Sequence, residues 1–338
     1  MDLRRRLCIC GMAAAPFGHL KSAQGQPAVK AETSSPPTVV DDIWHDAARQ
    51  RSLPVRIRWP AEDAPQAKGT RAVVLFSHGL GGTVAAGERW GQAWSAAGLV
   101  VLHLQHPGSD LDAVRRVARG FGDQSGLRQA AGPEQLLARL ADVKFVLDDI
   151  GRRHAAGVDR WREVRPHGVG MSGHSFGAHT TLGMAGQRYP AHAGIEEPRL
   201  AAFIAFSPTL PLQGDPTQAF ERMTRPMLCV TGTRDDDVVG VGATNERRTG
   251  VFAALPAGGK AHLVLQDADH MTFAGQTGRA AEVFPRHATT RALQALHHAL
   301  VAAITTDWWR SQLLGDEQAT ARLERPLDMA AGDVWQRR

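Results

Sequence analysis

The feature that most constrains the fold of this chain is the alternation of short apolar runs with longer amphipathic stretches. Runs such as AVVLF at 72–76 and LVVLHL at 99–104 are typical of strands covered on both faces. Residues 133–154 place leucine and valine at three- and four-residue steps, which predicts a long amphipathic helix. Strands alternating with helices favour right-handed crossovers and a mainly parallel sheet. The chain is therefore predicted to be an α/β protein with helices on both faces of its sheet.

The same reasoning assigns the other elements of one domain over residues 39–310. Further strands are predicted at 53–59, 168–172, 200–206, 227–231 and 261–266, and further helices at 88–97, 176–187 and 288–310. His297 and His298 are expected at the surface of the last helix. Residues 311–338 form a C-terminal tail whose packing the pattern does not predict.

Residues 1–25 have the order of an export signal peptide. Three arginines at 4–6 precede a mostly apolar stretch, and small residues precede a possible cleavage site before Gln26. The adjacent arginines also fit a twin-arginine signal. We therefore expect an exported protein, periplasmic or secreted, with a cytoplasmic location as the alternative. Residues 26–38 are rich in Pro, Ser and Thr, which predicts a disordered linker.

Composition and charge exclude several classes of function. The chain has 338 residues, of which 43% are hydrophobic and 22% charged, as in ordinary globular proteins. Its net charge is +5, but no stripe of Lys and Arg interleaved with aromatic residues occurs, so no nucleic-acid partner is expected. Charges or histidines interrupt every later apolar run, so no integral membrane contact is expected. Among three cysteines, Cys229 is expected to be a buried hydrophobic residue.

Residues 173–177 (GHSFG) have the form G-x-S-x-G between a predicted strand and a predicted helix. Ligands of such sheets lie beyond the carboxyl ends of the strands, and this motif there is typical of a nucleophile elbow. The sharp reversal pushes the Ser175 side chain clear of the sheet, while the flanking glycines let strand and helix approach. Ser175 is therefore the predicted nucleophile. The alternative is a glycine-rich turn with a capping serine.

A second glycine-rich loop, residues 77–82 (SHGLGG), directly follows the AVVLF strand. A loop in this place turns a backbone amide toward the oxygen of a tetrahedral intermediate. The helix that begins after Ser175 offers a second free amide. We predict that the backbone amides of Leu80 and Phe176 form an oxyanion hole, and the alternative is a plain turn.

A predicted acid and base follow the next two strand ends. A carboxylate after residues 227–231 would hold a histidine in its productive tautomer and stabilise its cation. Asp235 and Asp236 both lie close enough to the strand end. Asp235 is preferred because its distance from Gly232 is the commoner one in G-T-x-D loops, and Asp236 is the alternative acid. His270 follows the last strand and is the predicted general base, which makes the chain order Ser, Asp, His.

Other residues carry weaker signals. His103 and His106 have the spacing of a metal pair, but no cysteine or carboxylate cluster adjoins them. We therefore expect neither a metal nor a cofactor, and we expect the two histidines in a loop wall near the pocket. The Gly- and Arg-rich residues 115–132 are either a flap over the site or a surface loop.

These motifs, in this order, resemble the α/β-hydrolase superfamily over residues 40–310. The chain also looks like the bacterial "predicted dienelactone hydrolase" group, which is similar to platelet-activating-factor acetylhydrolases and cutinase-like polyester hydrolases. The motifs that carry this resemblance are 44–46 (WHD), 53–55 (LPV), 77–79 (SHG), 104–110 (LQHPGSD), 173–177 (GHSFG) and 269–270 (DH). The resemblance implies an α/β-hydrolase fold and a serine carboxylesterase without a cofactor. Its triad on this chain is Ser175, His270 and either Asp235 or Asp236.

Two departures from the family pattern concern the substrate. True dienelactone hydrolases use a cysteine nucleophile, whereas this chain has Ser175, so a dienelactone is not the expected substrate. The acid of the acetylhydrolases follows an earlier strand, where this chain has Ser207, so their phospholipid substrate is not carried over.

The expected activity is hydrolysis of short-to-medium acyl esters, small or polymeric, through an acyl-enzyme intermediate. We expect a monomer or a weak oligomer. A peptidase or amidase with the same triad is one alternative, although no propeller domain that gates peptides is present. An acyltransferase is another, because an alcohol can replace water in the second step. A non-catalytic binding protein is disfavoured, since all three triad residue types occur.

Overall fold

The structure is a computed structural model that describes residues 37–65, 69–117, 123–190 and 194–338. Within these ranges, nine strands form a single sheet. The strands are β1 (Thr38–Asp46), β2 (Arg51–Trp59), β3 (Val73–Ser77), β4 (Val100–Leu104), β5 (Val169–His174), β6 (Leu200–Phe206), β7 (Met227–Arg234), β8 (Lys260–Asp269) and β9 (Val334–Arg337). Their order across the sheet is β1-β2-β4-β3-β5-β6-β7-β8-β9. Strands β3 to β8 run parallel to one another, whereas β1, β2 and β9 are antiparallel to their neighbours.

The central strands are apolar because both of their faces are covered. Every residue of β3, β4 and β5 is buried, as the continuous apolar runs predict. Each predicted strand is present within a few residues of its predicted bounds. The prediction of an α/β protein with a mainly parallel sheet is therefore confirmed.

The helices cover the two faces of this sheet. They are α1 (Glu88–Ala96), α2 (Leu111–Val117), α3 (Gln124–Ala130), α4 (Pro133–Ala155), α5 (Phe176–Met184), α6 (Pro216–Phe220), α7 (Asn245–Ala254), α8 (Ala288–Leu314) and α9 (Glu317–Glu324). On one face α4 buries Leu140 and Leu147, and α5 and α7 complete the same apolar cluster. On the other face α1, α8 and α9 form a second cluster around Trp94 and Trp309, whose rings meet edge to face at 5.7 Å. Fully burying a side chain of this size contributes about 1.5–3 kcal/mol.

The two ends of the sheet differ from the sequence-based expectations. The predicted linker reaches residue 38, but β1 begins there and pairs along its whole length with β2. The C-terminal tail is an integral part of the fold, because α8 continues to Leu314 and β9 pairs with β8. The indole of Trp335 in β9 donates a hydrogen bond to Leu323 O in α9 at 2.9 Å. The tail therefore provides the strand at the second edge of the sheet.

The expectation that His297 and His298 lie at the helix surface is wrong. They are only 6% and 3% exposed, because α8 packs against both the sheet and the segment after β8. His298 Nε2 donates to Thr272 O at 3.0 Å, so its ring fastens that segment to the helix. His298 is thus structural, and His297 is buried in the same helix.

Three further predictions concern the leader, the membrane and the cysteines. The predicted signal peptide at 1–25 and the linker up to residue 36 lie outside the described residues. None of the helices in the described ranges is both long and apolar enough to cross a membrane. Cys229 is fully buried in β7, which confirms its assignment to the core.

Candidate active site

Ser175 occupies a strained turn between β5 and α5. Its backbone has φ 57° and ψ −115°, in a region that residues with a side chain rarely adopt. The amide of Ser175 donates to Phe206 O at 3.0 Å, which anchors the turn to the next strand. The turn therefore projects the Ser175 side chain beyond the carboxyl end of the sheet, where sequence analysis predicts a nucleophile.

The glycines on either side make this turn possible. A Cβ added at Gly173 would lie 2.3 Å from the Gly177 carbonyl oxygen. A Cβ added at Gly177 would lie 1.9 Å from the Ser77 carbonyl oxygen. Both contacts are with backbone, which has no freedom to move aside. Strand and helix therefore approach more closely than any side chain permits.

We expect Gly177→Ala to destabilise the protein by about 3 kcal/mol, because its methyl group must displace the β3 backbone. The melting temperature should fall by roughly 5–10 °C in a thermal unfolding scan. Gly151→Ala is the matched control, since a Cβ at that helical position meets nothing within 4 Å. It should stabilise the protein by about 0.5–1 kcal/mol. Equal melting temperatures for the two variants would contradict the close approach at the elbow.

The structure brings three of the predicted site residues into one hydrogen-bonded line. His270 Nε2 lies 3.0 Å from Ser175 Oγ, and His270 Nδ1 lies 2.8 Å from Asp235 Oδ1. Ser175, Asp235 and His270 follow the ends of β5, β7 and β8, so the parallel sheet gathers residues that are far apart in sequence. Asp235 is fully buried and His270 is 4% exposed.

Asp236, the alternative acid, lies elsewhere. Its side chain is exposed, and its amide donates to Arg234 O at 2.9 Å. The third aspartate of the run, Asp237, accepts hydrogen bonds from the amides of Val239 and Gly240 at 3.1 and 2.8 Å. Asp237 therefore organises its own loop, and only Asp235 contacts His270.

The Asp235 carboxylate is held ionised by its partners. Burial raises the pKa of this carboxyl, but the Arg248 guanidinium and the hydrogen bond from His270 outweigh it, so the pKa lies well below its usual range. Arg248 Nε is 3.0 Å from Asp235 Oδ1, and Thr231 Oγ1 donates to Oδ2 at 2.8 Å. An ionised carboxylate only accepts hydrogen bonds, so His270 Nδ1 carries the proton and Nε2 is free to accept the Ser175 proton.

His270 is uncharged in this environment. Burial lowers the pKa of its imidazole, and the positive charge of Arg248 lowers it further, against the opposing effect of Asp235. The ring of His174, from the elbow itself, lies 4.6 Å from the ring of His270, and its Nε2 donates to His270 O at 2.9 Å. The pKa of His174 is also far below its usual value because the ring is buried. His174 therefore fixes the backbone of His270 without adding a charge.

The imidazole of His78 orients the loop that carries Leu80. His78 Nε2 accepts from the His106 amide at 2.9 Å, so His78 Nδ1 carries the proton and donates to Gly79 O at 2.5 Å. In a trans peptide the carbonyl and the following N–H point in opposite directions, so this bond directs the Leu80 amide away from His78. In the part of the chain that the structure describes, the amides of Leu80 and Phe176 donate to no acceptor. Both remain available to a ligand.

A fully buried guanidinium contacts both the loop that carries Leu80 and the side chain of Phe176. Arg139, in the middle of α4, donates to His78 O at 2.6 Å and to Ser109 Oγ at 2.8 Å. Its guanidinium carbon lies 4.3 Å from the ring centre of Phe176. Burial lowers the pKa of Arg139 to about 9, which leaves it a cation at neutral pH. Its positive charge therefore lies against the loop that carries Leu80 and against the ring of Phe176.

A second Ser-His-Asp arrangement lies inside the protein. His106 Nε2 accepts from Ser77 Oγ at 3.0 Å, and His106 Nδ1 donates to Asp142 Oδ2 at 2.9 Å. None of these three residues is exposed, so no substrate reaches Ser77. His106 therefore belongs to a buried support of the loop and not to a pocket wall. His103 is also buried, and its Nδ1 donates to Ala86 O.

The described residues contain no group of three or more His, Cys, Asp or Glu side chains placed to hold a metal. The arrangement around Ser175 instead has the elements of nucleophilic catalysis. It combines a hydroxyl, an uncharged base oriented by a carboxylate, and two free amides.

No protein-family model matches the chain, and no curated protein matches it. The functional interpretation therefore depends on the residues that the fold brings together.

Helices α2 and α3 lie in the stretch predicted to be a flap or a surface loop. Val114, Leu127 and Ala130 form a small apolar cluster, against which Leu80 and Val239 pack. This cluster joins the loop that carries Leu80 to the loop after Asp235. Residues 118–122, between the two helices, lie outside the described residues.

Sequence reasoning missed the two buried arginines of this site. Arg248 lies on α7, to which the sequence pattern gives no bounds, and Arg139 lies within the predicted helix at 133–154. A charged residue on the apolar side of an amphipathic helix is a signal for Arg139, which stands four residues before the core residue Val143. Arg248 has no such signal, because its neighbours in the sequence are polar.

Proposed function

We propose that the protein is a serine carboxylesterase with an α/β-hydrolase fold that hydrolyses short-to-medium acyl esters. The observation that carries this proposal is the continuous line from Ser175 Oγ through His270 to Asp235, with spacings of 3.0 and 2.8 Å. These are hydrogen-bond distances, and they join a nucleophile to a base and the base to its orienting acid. The line stands at the carboxyl ends of parallel strands, where substrates bind in such sheets.

In the first half of the reaction His270 Nε2 takes the proton of Ser175 Oγ as that oxygen attacks the acyl carbon of the ester. Asp235 stabilises the imidazolium that forms. The carbonyl oxygen becomes an oxyanion, and the amides of Leu80 and Phe176 donate hydrogen bonds to it. The carbon–oxygen bond to the alcohol then breaks, and His270 returns the proton to the leaving alkoxide.

In the second half water takes the place of the alcohol. His270 accepts a proton from water, whose oxygen attacks the Ser175 ester of the acyl-enzyme. The same two amides hold the second oxyanion. Collapse of this intermediate releases the carboxylic acid and returns the proton to Ser175. No cofactor takes part in either half.

Support for the proposed Leu80 donor comes from the groups that hold its loop. His78 holds the Gly79 carbonyl, and Arg139 holds the His78 carbonyl, so the loop is oriented before any substrate arrives. Pre-oriented donors stabilise developing charge without the cost of reorganisation. One such donor contributes roughly 10²–10³-fold to kcat in serine hydrolases.

The experiment is the hydrolysis of p-nitrophenyl acetate, butyrate, octanoate and palmitate by the wild-type protein. We expect a burst of p-nitrophenol followed by steady turnover, with the highest kcat/KM among the three shorter esters. A fluorophosphonate probe should label Ser175 in the same preparation. Hydrolysis of matched p-nitroanilides at equal rates would favour an amidase instead.

The assay also separates hydrolysis from acyl transfer. An added alcohol such as butanol competes with water for the acyl-enzyme, and the products are quantified by chromatography. We expect the free acid to remain the main product. A butyl ester as the main product at low alcohol concentration would favour an acyltransferase, and no labelling or turnover at all would reject the proposal.

A further inference from the structure

Arg248 makes an unusual contact with the acid of the proposed triad. It is 3% exposed, and its Nε lies 3.0 Å from Asp235 Oδ1 and 3.0 Å from Asp235 O. Its Nη1 donates to Ser207 O at 2.5 Å. The guanidinium is thus wedged between the ends of β6 and β7, directly behind the carboxylate that orients His270.

One carboxylate oxygen of Asp235 contacts both His270 and Arg248. Asp235 Oδ1 accepts from His270 Nδ1 at 2.8 Å and faces Arg248 Nε at 3.0 Å. A carboxylate that already neutralises a guanidinium attracts an imidazolium less strongly, because the two cations repel each other. His270 therefore gains less from protonation than it would beside an unpaired aspartate.

The other groups around His270 do not offset this effect. Asp269, the preceding residue, is neutralised by Arg286, whose Nε and Nη2 donate to its oxygens at 2.7 and 2.9 Å. Each carboxylate near the base therefore has a guanidinium of its own. The ring of His174 on β5, which lies 4.6 Å from that of His270, has a pKa lowered by burial. Burial also lowers the pKa values of His179 on α5 and of His297 and His298 on α8.

We propose that Arg248 is a positioning residue that acts through Asp235 to keep His270 unprotonated, so that the site stays active in mildly acidic media. This inference rests on the proposed esterase function. A serine hydrolase loses activity when its base is protonated, and an ordinary imidazole is half protonated at about pH 6.5. Burial and Arg248 lower the pKa of His270, which agrees with this role.

The test is the pH dependence of kcat/KM for p-nitrophenyl butyrate in four proteins. Wild type should have its acid limb below pH 6.5. In Arg248→Gln the pair formed by His270 and Asp235 retains its proton to higher pH, so the limb should move up by about one pH unit. Activity within that limb then falls about tenfold relative to its plateau. Arg248→Lys keeps the charge and should keep the wild-type limb.

Arg247→Gln is the matched control. Arg247 is the neighbouring residue on α7 and also donates to backbone carbonyls, those of Leu210 and Pro211, but it contacts no carboxylate of the site. The acid limb of the kcat/KM profile of Arg247→Gln should superimpose on that of wild type. A merely structural role for Arg248 predicts a lower melting temperature for Arg248→Gln with an unmoved limb, and this result would overturn the proposal.

Two further outcomes are decisive. If Arg248→Gln does not fold, the wild-type profile still tests the proposal, because an acid limb at or above pH 6.5 contradicts it. If the protein turns over no ester, the Nδ1 proton resonance of His270 is followed by NMR through the same pH range in wild type, Arg248→Gln and Arg248→Lys. A titration that moves up by about one pH unit in Arg248→Gln but not in Arg248→Lys supports the effect of Arg248 even though the proposed function has failed, and an unmoved titration overturns it.

Discussion

Ser175→Ala is expected to lower kcat for p-nitrophenyl butyrate by about a millionfold, because no other group in the site can form the acyl-enzyme. His270 Nε2 is left without a hydroxyl to activate, and the proposed donor amides have no oxyanion bonded to Ser175 to stabilise. The burst of p-nitrophenol should vanish together with the steady-state rate. Fluorophosphonate labelling should vanish as well.

The fold should survive this substitution. Ser175 makes its structural contact through its backbone amide to Phe206 O, which alanine preserves. Alanine also adds no atom to the crowded elbow. We therefore expect a melting temperature within about 2 °C of wild type, which corresponds to less than about 1 kcal/mol. A folded Ser175→Ala protein that retains a tenth of the wild-type rate would eliminate Ser175 as the nucleophile.

The interior of the sheet was predictable because its physical requirement is local. A strand covered by helices on both faces needs apolar residues at every position, and β3 and β4 show this in five consecutive residues. The helices α4 and α8 are predictable in the same way, because their apolar residues recur at steps of three and four residues. In each case the signal lies within the element itself.

The edges were not predictable for the opposite reason. β1 exposes most of its side chains, and β9 has four residues and forms only where β8 offers an unpaired edge. α7 begins after a glycine-rich loop and has few apolar residues, of which Val251 and Phe252 are buried. Pairing and packing of this kind depend on residues far away in the chain, so a local pattern does not reveal them.

The residues of the candidate site differ in the same respect, because some have a local sequence signal and others do not. Ser175 belongs to a motif with a fixed backbone geometry, and His270 follows directly from the last parallel strand. The choice between Asp235 and Asp236 was open, because one step along an extended chain turns the side chain to the opposite side. Arg248 and Arg139 reach the site only through tertiary packing, and no spacing in the sequence indicates their partners.

Asp235→Asn is expected to lower kcat by about 10⁴-fold, whereas Asp236→Asn should leave it within about twofold of wild type. The asparagine side chain offers an N–H as well as an oxygen, so His270 loses the partner that keeps its proton on Nδ1. The wrong tautomer then presents an N–H to Ser175 and accepts no proton from it. Asp236 is exposed and makes no contact with His270, so its replacement changes only a surface charge.

The effect of Asp235→Asn on folding stability must be measured separately from its effect on kcat, because the substitution also removes the carboxylate that pairs with Arg248. An unpaired buried charge costs about 3–5 kcal/mol, so this variant should melt well below wild type. The double variant Asp235→Asn/Arg248→Gln removes both charges and should recover much of the lost melting temperature. It should nevertheless stay as inactive as Asp235→Asn, because tautomer control is still absent. A double variant that regained activity along with stability would assign Asp235 to the fold alone and leave His270 without its acid.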